Sequence, residues 1–190
     1  MTQAEIEEAG SGNQLFHNHF LISLSRLAGD YFQDTVTLIV EHNADGAFGL
    51  VINRPLNITL DSLIEELPED SSADVLEGGP VEQTRLFFLH SSEKGYPGSL
   101  DTGLGILLSS SDALIEDIKN RRGPKNVLPV LGYAGWGPGQ LENELIEDAW
   151  LITPATKEIL FETPYKEKAT KAASQLGIDL NLYQSTTPPS

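Results

Sequence analysis

The chain contains no cysteine among its 190 residues. This absence excludes a disulfide framework, a thiolate zinc site and any mechanism that depends on a cysteine nucleophile. Basic residues are also scarce, since 12 Lys and Arg stand against 28 Asp and Glu and give a formal net charge of −16. A protein that reads duplex DNA needs a basic face to displace counterions, so direct DNA binding is disfavoured. The same charge disfavours docking on anionic lipid.

Long apolar runs are absent as well. No stretch approaches the roughly 18 apolar residues that cross a bilayer. Residues 1–14 carry three glutamates and no basic residue, unlike a secretory signal. We therefore expect a cytoplasmic protein with no membrane contact. The composition is that of one globular domain, and we expect a flexible N-terminal arm over residues 1–14, a single domain over 15–183 and a loose tail over 184–190.

Strand patterns come first along the chain and helical patterns cluster later. Strands are expected over residues 19–25, 35–41, 47–53, 86–90, 105–109, 127–133 and 149–152. Asp45-Gly46 separates two of these runs and predicts a tight hairpin, because glycine adopts positive φ without strain. This order favours an α+β fold with a largely antiparallel or mixed sheet over a doubly wound one.

Four segments carry helix signals. Leu60, Leu63, Ile64 and Leu67 recur at helical spacing and predict an amphipathic helix that Pro68 ends. A second helix is expected over residues 112–122 with Gly123 as its cap, and a third after Pro138. Thr153-Pro154 and Thr163-Pro164 each place an N-cap residue before a proline, and the latter opens a helix over residues 164–176.

Several residue clusters have the composition of a binding or metal site. The glycine-rich loop over residues 132–139 could hold an anion on free N–H groups, although Trp136 as a core plug explains it more simply. Gly78-Gly79 predicts a turn, with a small anion nest as the alternative. Glu144, Glu147 and Asp148 share a helix face that is either solvated or able to hold Mg²⁺ or Ca²⁺. His17 and His19 make at most a weak metal site, because no third ligand is implied.

A local basic cluster interrupts the acidic chain. Its members are Lys119, Arg121, Arg122 and Lys125. Cations favour a helix C-terminus, so a solvated helix end is the simpler interpretation. The alternative is a contact for an acidic partner, a phosphate or a nucleic acid.

The order of several short motifs resembles the YqgE/AlgH family of bacterial proteins. The motifs lie at residues 18–22, 41–42, 46–55, 78–81, 131–136, 139–142 and 149–151, and the resemblance covers about residues 14–180. It implies a single α+β domain with a bifurcated, barrel-like sheet flanked by helices. Most members are uncharacterised, and some carry the name of transcriptional regulator. The resemblance implies no reaction, cofactor or metal.

We expect a non-enzymatic binding or regulatory module that acts on a protein partner or a small ligand, with any effect on transcription indirect. No nucleophile, base and orienting group form a recognisable set in the sequence. The candidate binding residues are His42, Asn53, Arg54, Gly78, Gly79, His90, Gly135, Trp136, Gln140 and Glu142. The alternative is an enzyme, such as a hydrolase, with a cleft formed by His42, Arg54, His90 and Glu142. Proximity of these four side chains would favour the enzyme, and separation would disfavour it.

Overall fold

Ten strands form one mixed sheet in the computed structural model, which describes residues 15–24, 29–180 and 182. The expected arm over residues 1–14 and the tail over 184–190 lie outside the described residues. The strands are β1 (His19–Ser23), β2 (Val36–Asn43), β3 (Gly46–Val51), β4 (Pro55–Thr59), β5 (Asp74–Glu77), β6 (Val81–Ser91), β7 (Leu100–Gly103), β8 (Ile106–Ser109), β9 (Val127–Trp136) and β10 (Trp150–Pro154). The predicted α+β class is confirmed, since helices flank this sheet.

The sheet has the order β10-β1-β2-β3-β9-β6-β8-β7, and every pair along this path is antiparallel. Strand β9 is where the sheet branches. Its C-terminal part pairs with β3, and its middle pairs in parallel with β5, which in turn pairs with β4. The corner between β3 and β4 therefore lies at the branch, and this corner carries Asn53 and Arg54.

The expectation of a barrel-like sheet is wrong in one respect, because the described strands do not close into a barrel. The six strands from β2 to β7 curl until β7 approaches β2. Hydrogen bonds do not join these two strands in the part of the chain that the structure describes. Gly103 of β7 also lies close to Asn18, the residue before β1, because a Cβ on Gly103 would be 3.1 Å from the Asn18 side chain. We call the gap between the β2–β3 hairpin and the β7–β8 hairpin the seam.

Three α-helices of the described chain flank the sheet: α1 (Asp112–Lys119), α2 (Gln140–Ile146) and α3 (Lys168–Ser174). The predicted helices after Ser111 and Pro138 are confirmed, although each is short. Ser111 caps α1 by accepting a bond from the Ala113 N–H at 3.2 Å. The chain turns at Arg121, whose φ is 57°, before it reaches Gly123. None of the described helices is long and apolar enough to cross a membrane.

The predicted helix from Leu60 to Leu67 is wrong. Only one 3-10 turn forms, over Leu60–Ser62, and Leu63 is 43% exposed. Glu66 has a φ of 63°, which no right-handed helix accommodates. A segment this short lacks the hydrogen bonds to offset helix nucleation, and the residue before Pro68 avoids the helical region.

The two Thr-Pro pairs do not act as predicted helix caps. Pro154 ends β10 opposite His19, which a proline tolerates on an edge strand. The Thr163 hydroxyl donates to the Glu158 carbonyl at 3.1 Å and so closes the preceding π-helical turn, Glu158–Glu162. A 3-10 turn, Tyr165–Glu167, precedes α3, and the predicted helix is therefore shorter than residues 164–176.

Apolar side chains form three clusters around the sheet. The largest joins β1, β2, β6 and β8 to α3, with Phe20 and Leu38 at its centre. A second surrounds Trp136 and Trp150, and a third packs α1 over Phe88. Burial at roughly 25 cal/mol per Å² of apolar surface makes these clusters the main source of fold stability.

Candidate functional site

Arg54 lies at the corner between β3 and β4, where the sheet branches. Its carbonyl accepts a bond from the Glu77 N–H at 2.8 Å, which holds the backbone. Its Nη2 atom donates to the Gln33 carbonyl at 2.8 Å, and its Cζ atom lies 5.1 Å from the centre of the Tyr31 ring. The guanidinium is therefore held in place while most of its five N–H donors remain for other partners.

Asn53 connects this corner to the segment before β2. Its Oδ1 atom accepts the Val36 N–H at 2.8 Å, and its Nδ2 atom donates to the Asp34 carbonyl at 2.9 Å. An asparagine amide that both donates and accepts can join two strands in this way. Asn53 thus positions the neighbourhood of Arg54, and its own amide is occupied.

The Tyr31 ring packs against the Arg54 guanidinium. Its hydroxyl donates to Glu77 Oε1 at 2.7 Å. Burial first, and then the hydrogen bond to Glu77, raise the Tyr31 pKa well above its usual value. The hydroxyl therefore keeps its proton at neutral pH and keeps the Glu77 carboxylate engaged.

Two adjoining hollows meet at Arg54. One has a volume of about 610 Å³ and the other about 580 Å³. They share Asn53, Arg54, Tyr165 and Lys166, so the corner of the sheet forms one wall and the segment before α3 forms the other. We call this space the Arg54 hollow. Each of the two volumes lies within the range of small-molecule sites, about 300–1,000 Å³.

Charged side chains of both signs line the Arg54 hollow, but its two cations form no ion pairs with described residues. Among the described residues, neither Arg54 nor Lys166 has a carboxylate oxygen within 4 Å. Three acids also line the hollow, namely Asp34, Glu77 and Glu167. Glu77 is already bonded to Tyr31. Two cations without ion-pair partners thus face one space.

His42 and Glu142 do meet, but away from Arg54. His42 Nε2 lies 2.9 Å from Glu142 Oε1 and donates its proton to it. The His42 ring is 3% exposed and packs on Phe16 with a centroid distance of 4.7 Å. His42 Nδ1 and Glu142 Oε2 have no hydrogen-bond partner among the described residues.

His90 lies in a different part of the core. Its Nδ1 atom donates to the Ser91 carbonyl at 2.9 Å, so Nε2 accepts the Ser109 hydroxyl at 2.8 Å. The Ser99 hydroxyl lies 2.5 Å from Ser109 Oγ and continues the chain of bonds. Burial lowers the His90 pKa, which favours the neutral ring that this network requires. The four residues of the expected enzyme cleft therefore do not share one site, because only His42 and Glu142 are in contact.

The glycine-rich loop leads into a structural cluster. Trp136 is buried, and its indole N–H donates to Glu144 Oε2 at 2.9 Å. Trp150 donates to the same oxygen at 2.8 Å, while Gln140 Nε2 donates to Glu144 Oε1 at 2.9 Å. Gly135, by contrast, lies exposed on β9. The Glu144 side chain therefore points inward. It does not belong to the solvated acidic helix face that the sequence predicted for Glu144, Glu147 and Asp148.

Gly78 and Gly79 lie where two chain segments touch. The Gly78 N–H donates to the Leu131 carbonyl at 2.7 Å. A Cβ on Gly78 would lie 2.3 Å from the Gly132 carbonyl oxygen, and one on Gly79 would lie 2.0 Å from the Tyr133 carbonyl carbon. These glycines allow close backbone approach, and the Gly78 N–H is not free for an anion.

The other predicted charge clusters are occupied by local contacts. His17 Nδ1 donates to the Val40 carbonyl at 2.7 Å and His19 Nδ1 to the His17 carbonyl at 2.9 Å. The described residues hold no group of three acids or histidines placed to bind a metal ion. In the basic cluster, ion pairs join Lys119 to Glu116, Arg121 to Asp70 and Arg122 to Asp117.

The sequence indicated Asn53 and Arg54 but not the residues around them. Tyr31, Tyr165 and Lys166 come from segments about 23 residues before and 111 residues after Arg54 along the chain. No short motif links them. The sequence marks the second of these segments through Thr163-Pro164, where one helical turn ends and the next begins beside the hollow.

Comparison with known proteins agrees with the fold. A model of the AlgH-like family (DUF179) matches residues 20–181. A UPF0301 protein of Nitrosococcus oceani is 43% identical over 172 residues, which cover 87% of this chain and 92% of the relative. Another, from Thioalkalivibrio sulfidiphilus, is 42% identical over 88% of this chain and 92% of its own length.

Two solved structures are similar over nearly the whole chain. The solution structure of the AlgH protein from Pseudomonas aeruginosa has a TM-score of 0.76 and 40% identity, with full coverage of both chains. The crystal structure of a protein from Corynebacterium diphtheriae has a TM-score of 0.74 and 19% identity, over 97% of this chain and 100% of the other. At this low sequence identity, the similarity to the Corynebacterium diphtheriae protein is evidence for a shared fold only.

Proposed function

This chain belongs to the AlgH-like family, and we propose that it is a regulatory binding module for a small anionic ligand. The ligand presents a carboxylate or a phosphate to Arg54 and Lys166 in the Arg54 hollow. One observation carries this proposal. In a chain with 28 acidic residues, these two cations face one hollow with no carboxylate oxygen within 4 Å among the described residues.

The chemistry of Arg54 suits this role. A guanidinium presents N–H donors in a planar fork that matches the two oxygens of a carboxylate or phosphate. The Gln33 carbonyl and the Tyr31 ring hold the fork before a ligand arrives. Preorganisation of this kind reduces the entropy lost on binding. Lys166 adds a second positive charge from the opposite wall.

Binding is favoured over catalysis by the separation of the candidate residues. The buried His42 is paired with the partly exposed Glu142, whereas both nitrogens of His90 are engaged inside another cluster. Among the described residues, the Arg54 side chain contacts the Gln33 carbonyl and the Tyr31 ring, and neither can act as a nucleophile or base at neutral pH. The Arg54 hollow thus supports recognition of an anion.

A regulatory role follows from where the hollow lies. A ligand there would contact the corner of β3 and β4 and the segment before α3 at once. Such a ligand stabilises one arrangement of the two walls, and a protein partner can recognise that arrangement. We propose that any effect on transcription passes through such a partner, because a net charge of −16 opposes direct DNA binding.

Isothermal titration calorimetry with pyrophosphate and with citrate tests the proposal. We expect saturable binding of one or both by the wild-type protein. Arg54→Gln should weaken it at least about 10-fold, because a charge-assisted pair is lost. Arg121→Gln removes one positive charge outside the hollow and is the matched control. The proposal fails if neither anion binds, or if both variants bind as tightly as the wild type.

A further inference from the structure

A second cavity lies in the seam where the curled sheet fails to close. It has a volume of about 240 Å³ and is separate from the Arg54 hollow. One side is formed by Glu41 of β2 and Phe48 of β3, and the other by Leu100 of β7 and Leu108 of β8. Strands that stand at distant positions in the sheet order therefore enclose one space. We call it the seam cavity.

Aromatic rings form the inner wall of the seam cavity. Phe48 and Tyr133 have a centroid distance of 4.9 Å, and Phe87 lies 6.1 Å from Phe48 and 6.2 Å from Tyr133. The interplanar angles range from 43° to 90°, so ring faces and ring edges both contribute to this wall. Such a wall binds a flat ring by stacking and edge contacts, and it attracts a cation through its ring faces.

The two charged side chains at the cavity differ in whether they are already paired. Arg85 and Glu41 are its two charged lining residues. The Arg85 guanidinium lies 4.9 Å from the centre of the Phe87 ring and is bonded to Glu82 at 2.9 Å. Glu41 has neither an ion pair nor a side-chain hydrogen bond with any residue that the structure describes. The carboxylate of Glu41 is thus the uncompensated charge on this wall.

Size limits the ligand to a single ring. Sites for drug-sized molecules span about 300–1,000 Å³, and the seam cavity is smaller. Glu41 and Phe48 are directly opposite each other on β2 and β3. A ring stacked on Phe48 therefore places a short substituent beside the Glu41 carboxylate.

We propose that the seam cavity binds an aromatic amine, that is, one flat ring that carries a protonated nitrogen. The ring packs against Phe48 and Tyr133, and the nitrogen donates to Glu41. The negative charge of the whole chain favours the approach of such a cation. This site is independent of the Arg54 hollow, which selects the opposite charge.

Three probes separate the contributions of ring and charge. Benzylamine has both features, benzoate has the ring with the opposite charge, and cyclohexylmethylamine has the charge without the aromatic ring. Each is titrated into the ¹⁵N-labelled protein, and the amide shifts of Phe48, Gly98 and Ser110 are followed. We expect saturable shifts with benzylamine and affinity lower by about 2- to 10-fold for cyclohexylmethylamine, because aromatic contacts are lost.

Variants locate the site. Glu41→Gln keeps the shape of the side chain and should weaken benzylamine binding by about 2- to 5-fold, as expected for an exposed ion pair. Glu147→Gln is the matched control, since Glu147 is exposed beyond the end of α2. Phe48→Leu keeps an apolar side chain in the wall and should reduce the preference for benzylamine over cyclohexylmethylamine.

The aromatic-amine proposal is wrong if benzoate binds as tightly as benzylamine, if the shifts map to Arg54 and Lys166 instead, or if no probe gives a saturable shift. Arg54→Gln should leave benzylamine binding unchanged. Failure here therefore leaves pyrophosphate or citrate binding at Arg54 unaffected, and the two proposals are judged separately.

Discussion

His42 Nε2 donates to Glu142 Oε1 across 2.9 Å, although the two residues stand 100 positions apart in the chain. The bond joins β2 to the first turn of α2. Since the His42 ring is buried, loss of the carboxylate leaves its N–H without an acceptor. The pair therefore fastens the helix that follows the glycine-rich loop to the sheet.

Glu142→Ala tests this relationship. We expect a loss of about 1–3 kcal/mol in the free energy of unfolding, because a buried donor becomes unsatisfied. Urea denaturation of Glu142→Ala, His42→Ala and the double variant measures the coupling between the residues. A coupling energy near zero would show that the bond contributes nothing to stability.

Glu144 should matter more than its acidic neighbours. Its Oε2 atom accepts both the Trp136 and the Trp150 indole N–H. Glu144→Ala leaves two buried donors unpaired and should cost about 2–4 kcal/mol, with a change in tryptophan fluorescence. Glu147→Ala, at an exposed position just after the end of α2, should stay within about 0.5 kcal/mol of wild type. Equal effects of the two substitutions would contradict the inward role of Glu144.

Lys168 predicts an unusual pH dependence. Its side chain is 1% exposed, and its amine donates to the Leu160 carbonyl at 2.5 Å. Burial lowers the Lys168 pKa to about 8. Between that value and the ordinary pKa of about 10.4, the unfolded chain binds more protons than the folded one. The free energy of unfolding should therefore rise with pH through this interval.

The interval to measure is pH 8 to 10, because above pH 10 the unfolded tyrosines ionise. Tyr31 and Tyr165 have pKa values raised by burial, so their ionisation favours unfolding. Over pH 8 to 10 we expect a gain of about 2 kcal/mol from Lys168. Lys168→Met should remove this gain while Lys166→Met, on the exposed neighbouring turn, should retain it. Chemical denaturation at four pH values provides the measurement.

Gly79 should tolerate no side chain. A Cβ there would lie 2.0 Å from the Tyr133 carbonyl carbon, a backbone atom held in the sheet. Gly79→Ala should destabilise the protein by about 3 kcal/mol or more, at the upper end of overpacking effects. At Gly95 a Cβ meets no described atom within 4 Å, so Gly95→Ala should be nearly neutral. Melting temperatures of the two variants provide the comparison.

The parts of the fold predicted correctly depend on nearby residues. The hairpin expected at Asp45-Gly46 forms, and Gly46, the first residue of β3 directly after the turn, has a φ of 129° that favours glycine. The helix expected from Leu60 failed because Glu66 and Pro68 redirect the chain, and the apolar spacing alone does not reveal that.

The candidate sites show the same division. Asn53 and Arg54 were identified from their place at a strand end, yet the cations and rings around them come from distant segments. The aromatic wall of the seam cavity was not identified, because Phe48, Phe87 and Tyr133 lie on three strands whose order no local pattern specifies. The sequence predicts a solvated Glu144 because Trp136 and Trp150, whose indole N–H groups donate to it, lie outside its helix.

The amino-acid sequence was sufficient to predict the charge, the absence of thiol chemistry, the strand-rich first half and the family. These properties are sums over residues or depend on short spacings, so they survive without knowledge of the contacts. The folded chain was needed to show that the sheet curls without closing, that Arg54 and Lys166 share a hollow, and that Glu41 lines a cavity with three aromatic rings. Such juxtapositions arise from long-range strand pairing, whose register is selected by the burial of whole faces of the sheet.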